Sequence, residues 1–233
     1  MFMRSVLVVL HKISFFKRII PSLLRRLPFV NSLNVKIENF KINLNLRSTI
    51  DRYIFLNGFY DKDKISYIEN QIDLSEYDYF LDIGSNIGFY SLYLASKYKN
   101  LDIFAFEPIQ ENYSQIEISK NINNFKKINI QKYALSNKKD AVTMWVTDLN
   151  KKGGFSIKDE KDFNNEINVN NYNKDKIHKR IIESEIFDQN FRFENKKIFI
   201  KIDVERHEFQ CLNGMVSLLN ENNNKIFIQI EIT

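Results

Sequence analysis

The sequence predicts an α/β fold built on a mostly parallel, doubly wound sheet. Three observations predict it. From residue 79 onward, apolar runs of strand length alternate with stretches whose apolar residues recur at helical spacing. Three of those runs end on a carboxylate: "YFLDIGSNIG", "IFAFEP" and "IFIKIDVERHE". The chain has 233 residues and 44% apolar content, enough for one domain of ordinary size with a substantial core.

Strands alternating with helices imply parallel pairing with helices on both faces. Residues 34–46 alternate well enough for one or two strands, and 61–72 read as a short helix opened by Asp61. Residues 79–83 form a buried strand, after which Ile87, Tyr90, Ser91, Leu94, Ala95 and Tyr98 mark a helix. A second strand covers 102–107 and a second helix 109–122. A third strand is expected at 127–135, and a fourth, 141–146, beside it or in a hairpin. Residues 148–177, rich in Asn and Lys, read as a long polar loop. A helix is expected near 179–190 and a strand at 198–204. Phe209, Leu212, Val216 and Leu219 mark one helical face, and 225–232 form a last strand.

The net charge of +5 is uneven. Residues 1–37 hold Arg4, Lys12, Lys17, Arg18, Arg25, Arg26 and Lys36 and no acid, which leaves the rest close to neutral. A near-neutral body lacks the phosphate-binding stripe of a nucleic-acid protein. Arg4, His11, Arg18 and Arg25 are seven apart and form one stripe on a helix, with Val6, Leu7, Val9, Leu10, Ile13, Phe16 and Ile20 over the remaining surface. Pro21 is expected to break or kink that helix. A basic amphipathic helix suits an anionic membrane surface, here through residues 4–26. The alternative is a helix packed on its own domain with its basic face solvated. Charges interrupt the apolar run too early for a membrane span, and no cleavage site follows it. The single cysteine, Cys211, excludes an intrachain disulfide and a Cys-based metal site, and points to a reducing, cytoplasmic compartment.

The first acidic strand end leads into the turn "DIGSNIG". In doubly wound sheets, ligands bind beyond the carboxyl ends of the strands where strand order reverses. Gly84 permits a positive φ or a close backbone approach. Gly88 opens the following helix, where free N–H groups favour an anion. A nicotinamide fingerprint counted from Gly84 would place glycine at 86 and 89, where this chain has Asn86 and Phe89. Asn86 would crowd a pyrophosphate, so a nicotinamide oxidoreductase is the less expected reading. S-adenosylmethionine makes different demands. Asp82 is placed to accept from its ammonium, and the amides of the turn through Ser85 to take its carboxylate. Glu107, 25 residues after Asp82, is placed to accept both ribose hydroxyls. The alternative is that the two glycines permit tight strand–helix packing and Glu107 is a solvated strand end.

The last acidic cluster places Asp203 at a strand end, with Glu205, His207 and Glu208 at the mouth of a helix. Methyl transfer from a sulfonium is an in-line displacement governed by alignment. A hydroxyl nucleophile also benefits from a base, for which His207 or Asp203 is the candidate. The spacing matches no recognised metal motif, so no metal is expected.

At these residues the chain resembles the FkbM family of S-adenosylmethionine-dependent methyltransferases. The matching text is "FLDIGSNIGFYSLYLA", "IFAFEPIQENY", "KYALSN", "IKIDVERHEFQCLNG" and "IFIQIEI", in the family's order, over about 78–232. The resemblance implies a Rossmann-like class I methyltransferase sheet and methylation of a hydroxyl oxygen on a sugar of a surface glycan, polysaccharide or glycolipid. It implies that Asp82, Gly84, Asn86, Gly88 and Glu107 line the cofactor site, that Asp203 faces the reacting centre, and that Ala134 lies near the adenine. The expected organisation is a basic helical segment at 1–33, strands and a helix at 34–77, and the S-adenosylmethionine-binding domain at 78–233. The protein is expected to be cytoplasmic and peripheral at the inner membrane face. Two departures stand out. The family's usual glycine in "DVEGHE" is Arg206, which would cost on the order of 1 kcal/mol if that backbone needs positive φ. The sequence also stops before the C-terminal antiparallel strand pair of class I methyltransferases, so a truncated cofactor-binding copy without turnover is the alternative to an active enzyme.

Overall fold

The computed structural model describes residues 2–11, 16–26, 30–146, 155–157 and 178–232. Two helices come first, α1 (Phe2–His11) and α2 (Phe16–Arg26), then an antiparallel hairpin of β1 (Leu33–Ile37) and β2 (Phe40–Leu44). Helices α3 (Thr49–Asn57) and α4 (Lys62–Gln71) lead into the central sheet.

That sheet holds β3 (Tyr79–Ile83), β4 (Asp102–Phe106), β5 (Ile128–Gln131), β10 (Lys197–Ile202) and β11 (Lys225–Ile230). All neighbours are parallel, in the order β11-β10-β3-β4-β5. The chain moves outward from β3 through β4 to β5, then returns to the other side of β3 with β10. The strand order therefore reverses between β3 and β10, as expected of a doubly wound, Rossmann-like sheet.

The period of two along the strands divides the core. Phe80 and Phe199 enter a cluster with Leu92, Leu94, Ile103, Ile116 and residues of the hairpin, on the side of α5 (Phe89–Lys97) and α6 (Gln110–Asn123). Leu81, Ile83, Ile198, Ile200 and Ile202 enter the opposite cluster with Phe187, Cys211, Met215 and Leu218. A charged residue on the first face of β3 or β10 thus points into the packed α5 side.

The remaining strands form a second sheet, β6 (Ala134–Leu135), β7 (Asp140–Val146), β8 (Phe155–Ile157) and β9 (His178–Glu185), in the order β6-β9-β7-β8. The single strand expected at 127–135 is therefore two, in different sheets. The helix expected near 179–190 is mostly β9, followed by the short α7 (Phe187–Asn190). Ile182 and Ser184 are buried while Ile181 and Glu183 are exposed, an alternation that only a strand gives. The polar loop expected at 148–177 lies outside the described residues except for β8. The helix expected after residue 208 is broken into α8 (Glu208–Asn213) and α9 (Val216–Leu219). Its buried residues are Cys211, Met215 and Leu218, whereas Phe209 and Val216 are exposed.

The N-terminal helices pack on the domain. Ile20 and Leu24 are buried in the main core, and Leu7 packs against it. Arg4 leaves the expected basic stripe and turns inward, because its guanidinium donates to the carbonyls of Phe55 and Lys36, each at 3.0 Å. Pro21 sits inside α2 without ending it. Among the described residues no helix is long and apolar enough to cross a membrane.

Candidate active site

The turn after β3 is shaped by three left-handed residues, Gly84 (φ 76°), Asn86 (φ 52°) and Gly88 (φ 75°). Asparagine tolerates that region better than most side chains, which accounts for it at the middle position. Gly84 has a second reason. A Cβ there would lie 2.0 Å from the Asp203 carbonyl oxygen, so the turn and the end of β10 touch backbone to backbone. The turn is also held from β4: the amides of Gly84 and Ser85 both donate to the Phe106 carbonyl at 3.0 Å.

Glu107 completes this junction. It is buried, and its carboxylate accepts from the Asn86 amide at 2.9 Å, the Ile109 amide at 2.9 Å and the Asn112 side chain at 3.2 Å. It is thus not a solvated strand end. The amides of residues 84, 85, 86 and 88 are all engaged within the protein, Gly88 with the Ser85 carbonyl at 2.8 Å.

A cavity of about 540 Å³ opens at the switch point. Its polar lining includes Gly84, Ser85, Asn86, Glu107, Lys201, Asp203, Glu205, His207 and Glu231, and its apolar lining Tyr133, Ala134, Leu135, Ile109 and Met144. Asp82 and Gly88 stand behind the wall. Gly88 would need its Cβ 3.0 Å from Ile116, which marks it as the contact between α5 and α6. Asp82 is 1% exposed, accepts from the Ser91 hydroxyl at 2.6 Å, and has Lys201 between it and the cavity. Burial raises its carboxyl above the ordinary value, opposed by Lys201 and the Ser91 hydroxyl and assisted by Asp203.

The lining around Asp203 is acidic. Burial, followed by Asp203, Glu231 and Glu208, pushes Glu205 up to about 7, against the pull of Arg206. His207 is buried, its Nε2 3.1 Å from the Ser136 hydroxyl, and desolvation lowers it to about 4. It is therefore a neutral, weakly basic imidazole near neutral pH. Glu208 turns away to accept from the Arg206 amide at 3.0 Å. Arg206 itself has φ 71°, so the position does adopt the backbone that favours glycine. Among the described residues no group of three or more potential metal ligands is assembled.

Several lining residues lie outside the sequence expectations. Thr49, Ile50 and Tyr60 reach the cavity from α3 and the loop after it. A signal for α3 exists in "STID": Ser48 caps the helix and accepts from the Asp51 amide. Lys201 is another, a lysine inside an apolar strand run.

The group that fits must satisfy buried acceptors and fill an apolar slot. Asn86 Oδ1 and Asn112 Oδ1 are buried without a hydrogen-bond partner and belong to lining residues. Beside them are the Glu107 carboxylate, suited to ribose hydroxyls, and the apolar side around Ala134, suited to a base. The volume is in the range of small-molecule sites.

A doubly wound parallel sheet with such a cavity at its switch point defines a Rossmann-like fold with a small-molecule site. The Methyltransferase FkbM domain matches residues 82–233, and the chain belongs to that family of methyltransferases, with S-adenosylmethionine as cofactor. No curated protein matches the chain. Among solved structures, M. jannaschii TYW2 in complex with AdoMet matches with a TM-score of 0.33 and 14% identity, over 43% of this chain and 42% of that one. The match thus spans less than half of that protein's length.

Proposed function

We propose that the protein transfers a methyl group from S-adenosylmethionine to a hydroxyl oxygen of a sugar in a surface glycan or glycolipid. The observation that carries the oxygen-transfer reading is that Asp203 and Glu205 line the same cavity as Glu107. S-adenosylmethionine bound in the cavity would supply an electrophilic methyl on a sulfonium, with a neutral thioether as leaving group. Glu107, Asn86 and Asn112 would hold the nucleoside end, and Ala134 and Leu135 would flank the base. Asp203 orients the acceptor hydroxyl. Glu205, at about 7, is matched to receiving its proton as the oxygen–carbon bond forms. His207 walls the site and excludes water. The acidic side suits neutral, hydroxyl-rich acceptors better than phosphorylated or carboxylated ones, because like charges repel.

The test is transfer of labelled methyl to a panel of neutral and acidic glycans, followed by linkage analysis. Label in an alkali-stable ether on a neutral sugar supports the reading. Label on nitrogen or in a labile ester contradicts it.

A further inference from the structure

A lysine inside an apolar strand is unfavourable unless its ammonium is paired. Lys201 is 4% exposed, in the interior of β10. Its Nζ lies 3.1 Å from Asp203 Oδ2, 3.9 Å from Asp82 Oδ1 and 5.0 Å from the Tyr90 ring centroid. Each neighbour comes from a different place. Asp203 follows the same strand, Asp82 is the register partner of Lys201 in β3, and Tyr90 belongs to α5.

The groups that face Asp82 are Lys201, Asp203, Tyr90 and the Ser91 hydroxyl. Lys201 supplies the positive charge among them. Ser91 takes only Oδ2, and Oδ1 has no hydrogen bond, so its interaction with the ammonium is one of charge. The Tyr90 hydroxyl is engaged elsewhere, donating to Asp61 at 3.3 Å. Two carboxyl groups thus share one amine at the point where the strand order reverses.

We propose that Lys201 is a positioning residue for the methyl donor: its ammonium holds Asp82 as a carboxylate and ties Asp203 beside it, so the methionine end of the donor meets one net negative charge through the neutral range. The proposal rests on the methyltransferase reading only for its donor-binding half. The same charge favours the cationic donor over the neutral thioether left after transfer. Loss of Lys201 leaves a carboxyl that burial already pushes up, and Asp82 then takes a proton.

The experiment combines infrared difference spectroscopy of the ligand-free protein with calorimetric titration of S-adenosylmethionine between pH 5.5 and 7.5. The variants are Lys201→Met, Lys201→Arg, Asp82→Asn and the Asp82→Asn/Lys201→Met double variant. At pH 7, Lys201→Met is expected to show a carboxylic-acid band that the double variant lacks. Wild type and Lys201→Arg are expected to show no such band assignable to Asp82. Donor affinity of Lys201→Met is expected to rise with pH by up to about tenfold per unit, the slope of one linked proton. Wild type, Lys201→Arg and the double variant are expected to share only the shallower dependence that Glu205 sets. An Asp82 acid band in wild type, or its absence in Lys201→Met, overturns the proposal. So does an affinity profile for Lys201→Met no steeper than that of wild type. Should Lys201→Met fail to fold, an Asp82 acid band in Lys201→Arg is the overturning result. Wild type with ionised Asp82 and no affinity for S-adenosylmethionine at any pH would refute the cofactor reading and leave the hold of Lys201 on Asp82 in place.

Discussion

The Cα of Gly84 faces the main-chain carbonyl of Asp203 so closely that a Cβ would sit 2.0 Å from its oxygen. The two acidic strand ends on either side of the switch point are thereby joined through backbone. Gly84→Ala cannot be absorbed by a side-chain shift, and φ 76° adds strain. The expected loss is on the order of 3 kcal/mol of stability, with weakened donor binding. Chemical denaturation measures the first and calorimetry the second. An unchanged midpoint would show that β3 and β10 are further apart than described.

Arg206 stores strain in the opposite sense. It follows Glu205 at φ 49° with its own φ of 71°, two consecutive left-handed residues without a glycine. Arg206→Gly is expected to raise stability by about 1 kcal/mol at equal m-value. Removing the guanidinium also removes its downward pull on Glu205. A destabilised Arg206→Gly would mean that the arginine side chain contributes more than its backbone costs.

Glu205 titrates upward of its ordinary value of 4.5, at about 7 in the folded protein. The folded state therefore binds the extra proton between those values, and stability falls as pH rises from about 4.5 to about 7. Glu205→Gln is expected to be more stable than wild type at pH 8, by about 1 kcal/mol after discounting for partial exposure. Its methyl-transfer rate is expected to fall 10²-fold or more, about the contribution of one general base. Thermal melts across pH and single-turnover rates check the two halves; an unchanged rate would move the proton acceptor elsewhere.

His207 works the other way. Its folded value of about 4 lies below the ordinary 6.5, so the stability of the neutral imidazole is fully present above 6.5 and is lost as pH falls toward 4. Melting temperature of wild type is expected to drop more steeply over that interval than that of His207→Gln. Parallel curves would indicate an imidazole that protonates freely in the folded state.

The central strands were legible because local pattern and tertiary role coincide there. The strand at 79–83 is apolar, short and closed by Gly84, and the structure begins and ends it at the same residues. β9 was not legible: Ile181, Ile182, Ile186 and Phe187 fit a helical face as well as a strand, and pairing with β7 decides between them. The site divides similarly. Asp82, Glu107 and Asp203 mark strand ends, a feature local sequence carries. That Lys201 stands between Asp82 and the cavity depends on β10 lying beside β3 in a given register, which no local pattern contains. Arg206 shows the useful intermediate case, where a missing glycine flags a positive φ in advance.

The cofactor site turns on Glu107, whose carboxylate both fastens the turn through the Asn86 amide and faces the cavity. Calorimetric titration of S-adenosylmethionine into wild type and Glu107→Gln tests it most directly, with far-ultraviolet circular dichroism to verify the fold. Binding by wild type, and a loss of at least about tenfold in the variant, is the expected result, since one charged hydrogen-bond partner is removed. Equal affinity in a folded Glu107→Gln would contradict the assignment of this cavity to the cofactor.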